Sequence, residues 1–206
     1  MDMHSLVSVA REIHLKNSDL VAANDQVQVG KLIDITSKKA VESFGEDICA
    51  VNGSYPIRIF RVNAPDCTYL HSLVLGRKKE AVILLSPSLN PCWTRFCSAK
   101  ELAHLFIGCS TTTNDSAMLL TLARNSRFNA ATLEAEMDTE TFCLYLAIEI
   151  LLPWTLRGKL SDMHHEKGFT TLQIAKHFMV PCAIIEQYFE CEYGALSFKA
   201  NKDVKE

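Results

Sequence analysis

The sequence predicts an α+β fold, with a helix first, a small sheet next and helices after it. Three observations predict it. Residues 3–16 place Leu6, Val7, Ala10 and Ile13 at helical spacing. Tyr55–Val62 (YPIRIFRV) alternates apolar and polar residues, the period of a strand. From Thr94 onward, apolar positions recur at intervals of three and four between recognisable caps and stops.

The elements follow in order. Residues 37–44 read as a second helix with Ser37 as N-cap. Tyr69–Leu75 is the second strand and Ala81–Ser86 (AVILLS) the third, its unbroken apolarity marking it as buried, with Gly76 to Glu80 as the turn before it. Pro87 and Pro91 punctuate a loop. Thr94–Gly108 is a helix closed by Gly108. Asp138–Leu152 is another, with Asp138 or Thr139 as N-cap and Pro153 as stop. Thr170–Phe178 and Pro181–Cys191 form a helix pair across Met179–Val180, Pro181 suiting a first turn. The tail, Lys199–Glu206, is charged and expected to fray. The expected organisation is a main domain over 1–158, a helix pair over 159–198 and a tail over 199–206.

Composition narrows the function classes. Of 206 residues, 48% are apolar, enough to bury a core without disulfides or metal. The net charge of −3 is unlike that of a strongly basic nucleic-acid binder. The eight cysteines form no C-x-x-C pair and mostly lie inside apolar runs, so they read as reduced core thiols. The N-terminal stretch lacks the basic start and apolar core of a signal peptide. The longest apolar run, Leu144–Pro153, is interrupted by Glu149 and too short to span a bilayer. A cytoplasmic protein without membrane contact is expected.

The chemistry concentrates in Arg95–Gly108 (RFCSAKELAHLFIG). On a helix, Cys97, Lys100, Glu101 and His104 share one face, and Phe96, Ala99, Ala103 and Phe106 share another that packs into the core. Zinc peptidases carry H-E-x-x-H on such a helix: two histidines at i and i+4 chelate the metal, and the glutamate takes a proton from metal-bound water. Here the five residues are Lys100-Glu101-Leu102-Ala103-His104. The base and second ligand are present, and a lysine stands where the first ligand belongs.

The surroundings resemble the ImmA/IrrE metallopeptidases, in which the stretch typically reads R-F-T-x-A-H-E-x-G-H-L. Arg95, Phe96, Ala99, Glu101, Leu102, His104 and Leu105 match. A second block, Glu140 to Pro153, resembles that family's E-x-x-A/C-N-x-F-A-x-E-L-L-M-P helix, with Leu144 in place of its Asn. A third, Leu172–Phe189, resembles its helix-turn-helix-like segment. The likeness runs from about Ile57 to Phe189. It implies a zincin-like fold with a small antiparallel sheet packed on helices, followed by a helix-turn-helix-like pair. It also implies Glu101 as catalytic base, and His104 and Glu140 as metal ligands. Family members cleave or bind helix-turn-helix repressors of mobile elements or stress regulons.

Lys100 alters that expectation. An ammonium has no lone pair for a metal, and catalytic zinc sites normally keep three protein ligands. No cofactor is therefore expected, and peptidase activity is expected to be lost or weak. Lys100 is expected instead to bridge to Glu140, with Glu101 or His104 nearby, supplying the charge a metal would have carried. Zinc would return only if another residue rescued the site. Cys97 is a candidate, but at seven residues from His104 it is poorly placed. The expected role is a non-cleaving regulator that binds a protein partner such as a helix-turn-helix repressor. The alternatives are an active zinc endopeptidase with an altered metal site and a DNA-binding regulator.

Plainer readings stand beside these. Lys100-Glu101-x-x-His104 alone can be a solvated helix face. Glu140 can be a first-turn acid complementing the helix dipole. Glu149 is expected to face solvent or bridge locally, and His164-His165-Glu166 to lie in a polar loop. Leu172, Ala175, Val180, Ile184 and Ile185 hold the packing positions of a helix-turn-helix. Its second helix (PCAIIEQYFECE) has no Lys or Arg and three Glu, so nucleic-acid binding is disfavoured.

Overall fold

The computed structural model describes residues 2–44, 55–61, 70–76, 80–108, 111–115 and 139–190. They are mixed helix and strand and form two compact units, Gln28–Leu120 and Met1–Val27 with Thr121–Glu206.

The first of these units carries the sheet. Helix α2 runs Val29–Phe44, so Ser37 sits inside it rather than capping it. The reason lies in the tertiary fold. The Ser37 hydroxyl donates to the Tyr55 carbonyl at 2.5 Å, and the Tyr55 amide donates to the Ser37 carbonyl at 3.1 Å. This exchange aims the chain into β1 (Ile57–Arg61), which is followed by β2 (Leu70–Gly76), β3 (Ala81–Leu85) and β4 (Thr111–Asp115).

The strand order is β1-β3-β2-β4. The expected antiparallel sheet is thereby corrected. β1 runs parallel to β3, from Ile57 opposite Ala81 to Arg61 opposite Leu85, while β2 is antiparallel to both β3 and β4. β3 is central and has Ala81, Ile83 and Leu85 buried with Val82 and Leu84 half-buried, as a strand covered on both faces requires. β4 (TTTND) has no apolar alternation, and periodicity alone misses it.

Helix α3 spans Pro91–Phe106 and packs on α2, β2 and β3. It starts three residues before the predicted Thr94. Pro91 occupies its first turn instead of breaking the chain, and Asn90 caps it by accepting from the Trp93 amide at 3.0 Å. Gly108 takes φ +84 just beyond the C-cap Ile107, the left-handed conformation that ends helices.

The other unit is helical among the described residues. Asp2 caps α1 (Met3–Lys16) by accepting from the Ser5 amide at 2.8 Å, and Met3, Leu6, Val7, Ala10 and Ile13 form its buried face. That face packs on α4 (Thr139–Leu151), in which every side chain from Phe142 to Leu151 is buried. A helix covered all round is a central one. Beyond Pro153 the chain stays helical: a 3-10 turn at Trp154–Leu156, α5 (Arg157–Ser161) and a π-helical turn at Asp162–Glu166. His164-His165-Glu166 is therefore not a loop. His164 stacks on Phe189, ring centroids 4.2 Å apart.

Thr170 and Gln173 form a capping box at the start of α6 (Thr171–Phe178). Met179 turns the chain at φ 54 into α7 (Cys182–Glu190). Ala175, Val180, Ile184 and Ile185 are buried between the two helices' packing positions as predicted, but Leu172 is 52% exposed. The carboxylate of Asp25 accepts from Lys159 Nζ and from His177 Nε2, the latter at 2.8 Å. Burial alone pushes that carboxyl up, but the hydrogen bonds and charges of Lys159 and His177 outweigh it and hold it below its ordinary value.

Glu149 takes the second of its two expected roles, a bridge within eight residues, and does not face solvent. It is 3% exposed and pairs with Arg157 Nη2 at 2.5 Å, and the Arg157 guanidinium lies over the Tyr188 ring at 5.7 Å. Burial pushes the Tyr188 hydroxyl up to about 12. Among the described residues, no single helix is long and apolar enough to cross a membrane.

Two outcomes follow from these buried groups. Arg157→Met leaves the Glu149 carboxylate without that ion pair and should cost about 3–5 kcal/mol in denaturant unfolding, most of it regained in the double variant with Glu149→Leu. Burial also lowers the His14 imidazole from 6.5, and a hydrogen bond to the Ile150 carbonyl at 3.0 Å only partly opposes this. A depressed histidine stabilises the fold above its unfolded value and loses that contribution as pH falls through the folded one. The melting temperature should therefore drop between about pH 7 and about pH 5, and His14→Gln should flatten that limb of the profile.

Candidate functional site

Helix α3 positions the candidate residues. Its apolar stripe behaves as predicted: Phe96, Ala99, Ala103 and Phe106 are buried. The opposite stripe is buried as well. Cys97, Lys100, Glu101 and His104 each have 0% relative exposure. The solvated-face reading is thereby overturned. Lysine and glutamate are almost never fully buried unless paired, so a core helix carrying Lys, Glu and His within five residues holds an electrostatic assembly.

One contact in that assembly is explicit. Lys100 Nζ lies 3.4 Å from His104 Nε2, one helical turn along. An ammonium has three donors and no acceptor, so with Lys100 charged the contact requires the imidazole to accept at Nε2. Lys100 thus does two things to a metal site. It brings no lone pair of its own, and it engages the lone pair His104 would offer. A zinc ion there would meet a positive charge at contact distance. The donor set on α3 therefore does not suit zinc.

The other predicted residues divide clearly. Cys97 is buried on the same helix, but seven residues separate it from His104, an axial rise of about 10.5 Å. That is far beyond what two ligands of one zinc ion allow. Glu140 sits half-buried in the first turn of α4, in the other compact unit, where Leu144 is also buried. Among the described residues, no group of three or more His, Cys, Asp or Glu side chains is placed to hold a metal ion.

The approach to the helix adds residues the motif did not name. Thr94 accepts from Arg61 Nη2 at 3.2 Å, and its carbonyl accepts from the Ser98 hydroxyl at 2.8 Å. Trp93 and Phe96 meet edge to face with centroids 5.9 Å apart. Burial pushes the Cys92 thiol up, with Arg95 opposing, so Cys92 stays protonated and poorly nucleophilic at neutral pH. Burial likewise lowers the Arg95 guanidinium from its ordinary value. Apart from the Arg95-Phe96 pair already matched, no periodic signal points to these residues.

The Lys100 contact has a spectroscopic consequence. Ring-nitrogen NMR at neutral pH should show His104 in the Nδ1–H form with a hydrogen-bonded Nε2, and Lys100→Met should remove that hydrogen bond. A dominant Nε2–H form in the unaltered protein would contradict the donor assignment. Comparison with known proteins leaves the assembly on its own residues: no family model, curated protein or solved structure matches the chain.

Proposed function

We propose that this chain is a metallopeptidase-like regulator of the ImmA/IrrE type in which a lysine ammonium has taken over from the metal, and that it binds a protein partner without cleaving it. The observation that carries the reading is the buried contact of Lys100 with His104 at 3.4 Å. In the resembling motif, the position of Lys100 belongs to the first ligand and that of His104 to the second. The pair keeps the helix's polar stripe and replaces a divalent cation by one fixed charge. Glu101 keeps the base's position but has no activated water to act on, since nothing in the donor set lowers a water pKa as zinc would.

Binding without hydrolysis remains open to such a scaffold. The α3 helix packs on a mixed sheet whose outer strands among the described residues are β1 and β4. An extended segment of a partner can add to a sheet edge through main-chain hydrogen bonds, with side chains read on alternate positions. The resemblance makes a helix-turn-helix repressor the class of partner. The acidic second helix of the C-terminal pair favours a protein contact there over DNA.

Metal analysis tests the proposal directly. Protein purified without chelator should carry no more than about a tenth of an equivalent of zinc, whereas Lys100→His should approach about one equivalent. Stoichiometric zinc in the unaltered protein, or its hydrolysis of a repressor substrate blocked by Glu101→Gln, would overturn it.

A further inference from the structure

A groove in the helical unit offers a second kind of contact. It lies between the 157–167 segment and α6, with a cavity of about 590 Å³. Its floor is apolar: Met163 is 5% exposed, and Phe169 stands 38% exposed at its side. Its walls are Lys159, Lys167, Lys176 and His177 with Gln173 beside them, and no acidic side chain lines it among the described residues. Lys159 and His177 are already engaged by Asp25. Lys167 and Lys176 are exposed and have no ion-pair partner among the described residues. Two ammonium groups with no ion pair among the described residues therefore flank an apolar slot.

We propose that this groove docks a short acidic segment of a partner protein that inserts one apolar side chain over Met163 and Phe169 between Lys167 and Lys176. Charge complementarity selects the acidic partner, and the apolar floor selects an anchor residue at its centre. The surroundings limit the segment's length. Asp162 and Glu166 are exposed on the π-helical turn that carries Met163, and Asp25 already holds Lys159 and His177. A long polyanion would run from the lysines onto these carboxylates. Nucleic acid, which needs several phosphate contacts in series, is disfavoured for that reason. A handful of carboxylates around one apolar residue fits. The site is in the other compact unit from Lys100 and does not depend on the fate of the metal site.

Fluorescence anisotropy with the full chain tests this. The probe is a fluorescein-labelled acidic peptide of about twelve residues with one central leucine. The controls are the same peptide with serine for leucine, a basic peptide with the leucine, and single-stranded and duplex oligonucleotides. The acidic leucine peptide should bind saturably and weaken as salt rises. The double variant Lys167→Glu/Lys176→Glu should lose about tenfold or more in affinity, as should the serine peptide. Both lysines are exposed, and an unchanged circular dichroism spectrum confirms that the variant is folded. Absence of saturable binding, binding indifferent to the two reversals, or tighter lysine-dependent binding of an oligonucleotide would each overturn the proposal. Zinc content is unaffected by these variants, so this test and the metal analysis fail independently.

Discussion

A lysine ammonium with no solvent exposure constrains everything near it. Removed from water, the charge needs hydrogen-bond acceptors and counter-charge within reach, or the helix that carries it cannot stay in the core. Helix α3 meets part of that demand internally, by placing the His104 Nε2 lone pair one turn from Lys100 and a glutamate beside it in sequence. The sheet and α2 pack on this helix, so the same element fills the core of its unit and holds the polar assembly rigid.

The helical unit solves a comparable problem in a different way. Glu149 lies inside a helix buried on every side and is neutralised by Arg157, which comes from the next helical segment and packs its guanidinium on Tyr188. One ion pair and one cation–ring contact thereby tie α4, α5 and α7 together. The buried pair is weak as a source of stability compared with apolar packing, but costly to break on one side. It therefore acts more as a specifier of arrangement than as glue. Asp25 performs a similar service at the surface, joining the segment after α1 to α5 and α6 through Lys159 and His177. The groove beside α6 borders on that latch and inherits from it a fixed geometry.

Local signals in the chain were enough for much of this. The spacing of Leu6, Val7, Ala10 and Ile13 specifies α1, and the apolar run Ala81–Leu85 specifies a buried strand. Pro153 specifies the end of α4, and Thr170 with Gln173 the start of α6. These features depend on neighbours within one or two turns, or on the strand period, and so can be read from order alone. The Lys100-Glu101-x-x-His104 spacing on α3 is legible in the same way, because the motif is contiguous. The helical stretch after Pro153 was not legible. Leu156, Leu160 and Met163 do fall at i, i+4 and i+7, but Pro153, Gly158 and the polar run around them read as loop, and β4 has no apolar alternation at all.

The amino-acid order by itself determined α1, the buried strand β3, the ends of α4 and the start of α6, and the chemistry carried on α3: which residue types share a stripe. Only the tertiary structure decided that this stripe lies in the core, that Glu149 is paired with Arg157, that Ser37 serves Tyr55 instead of a helix start, and that β1 runs parallel to β3. Each of those depends on what another element packs against the residue, eight positions on for Glu149 and eighteen for Ser37. Burial and pairing are properties of what packs against a residue, and no local pattern contains them.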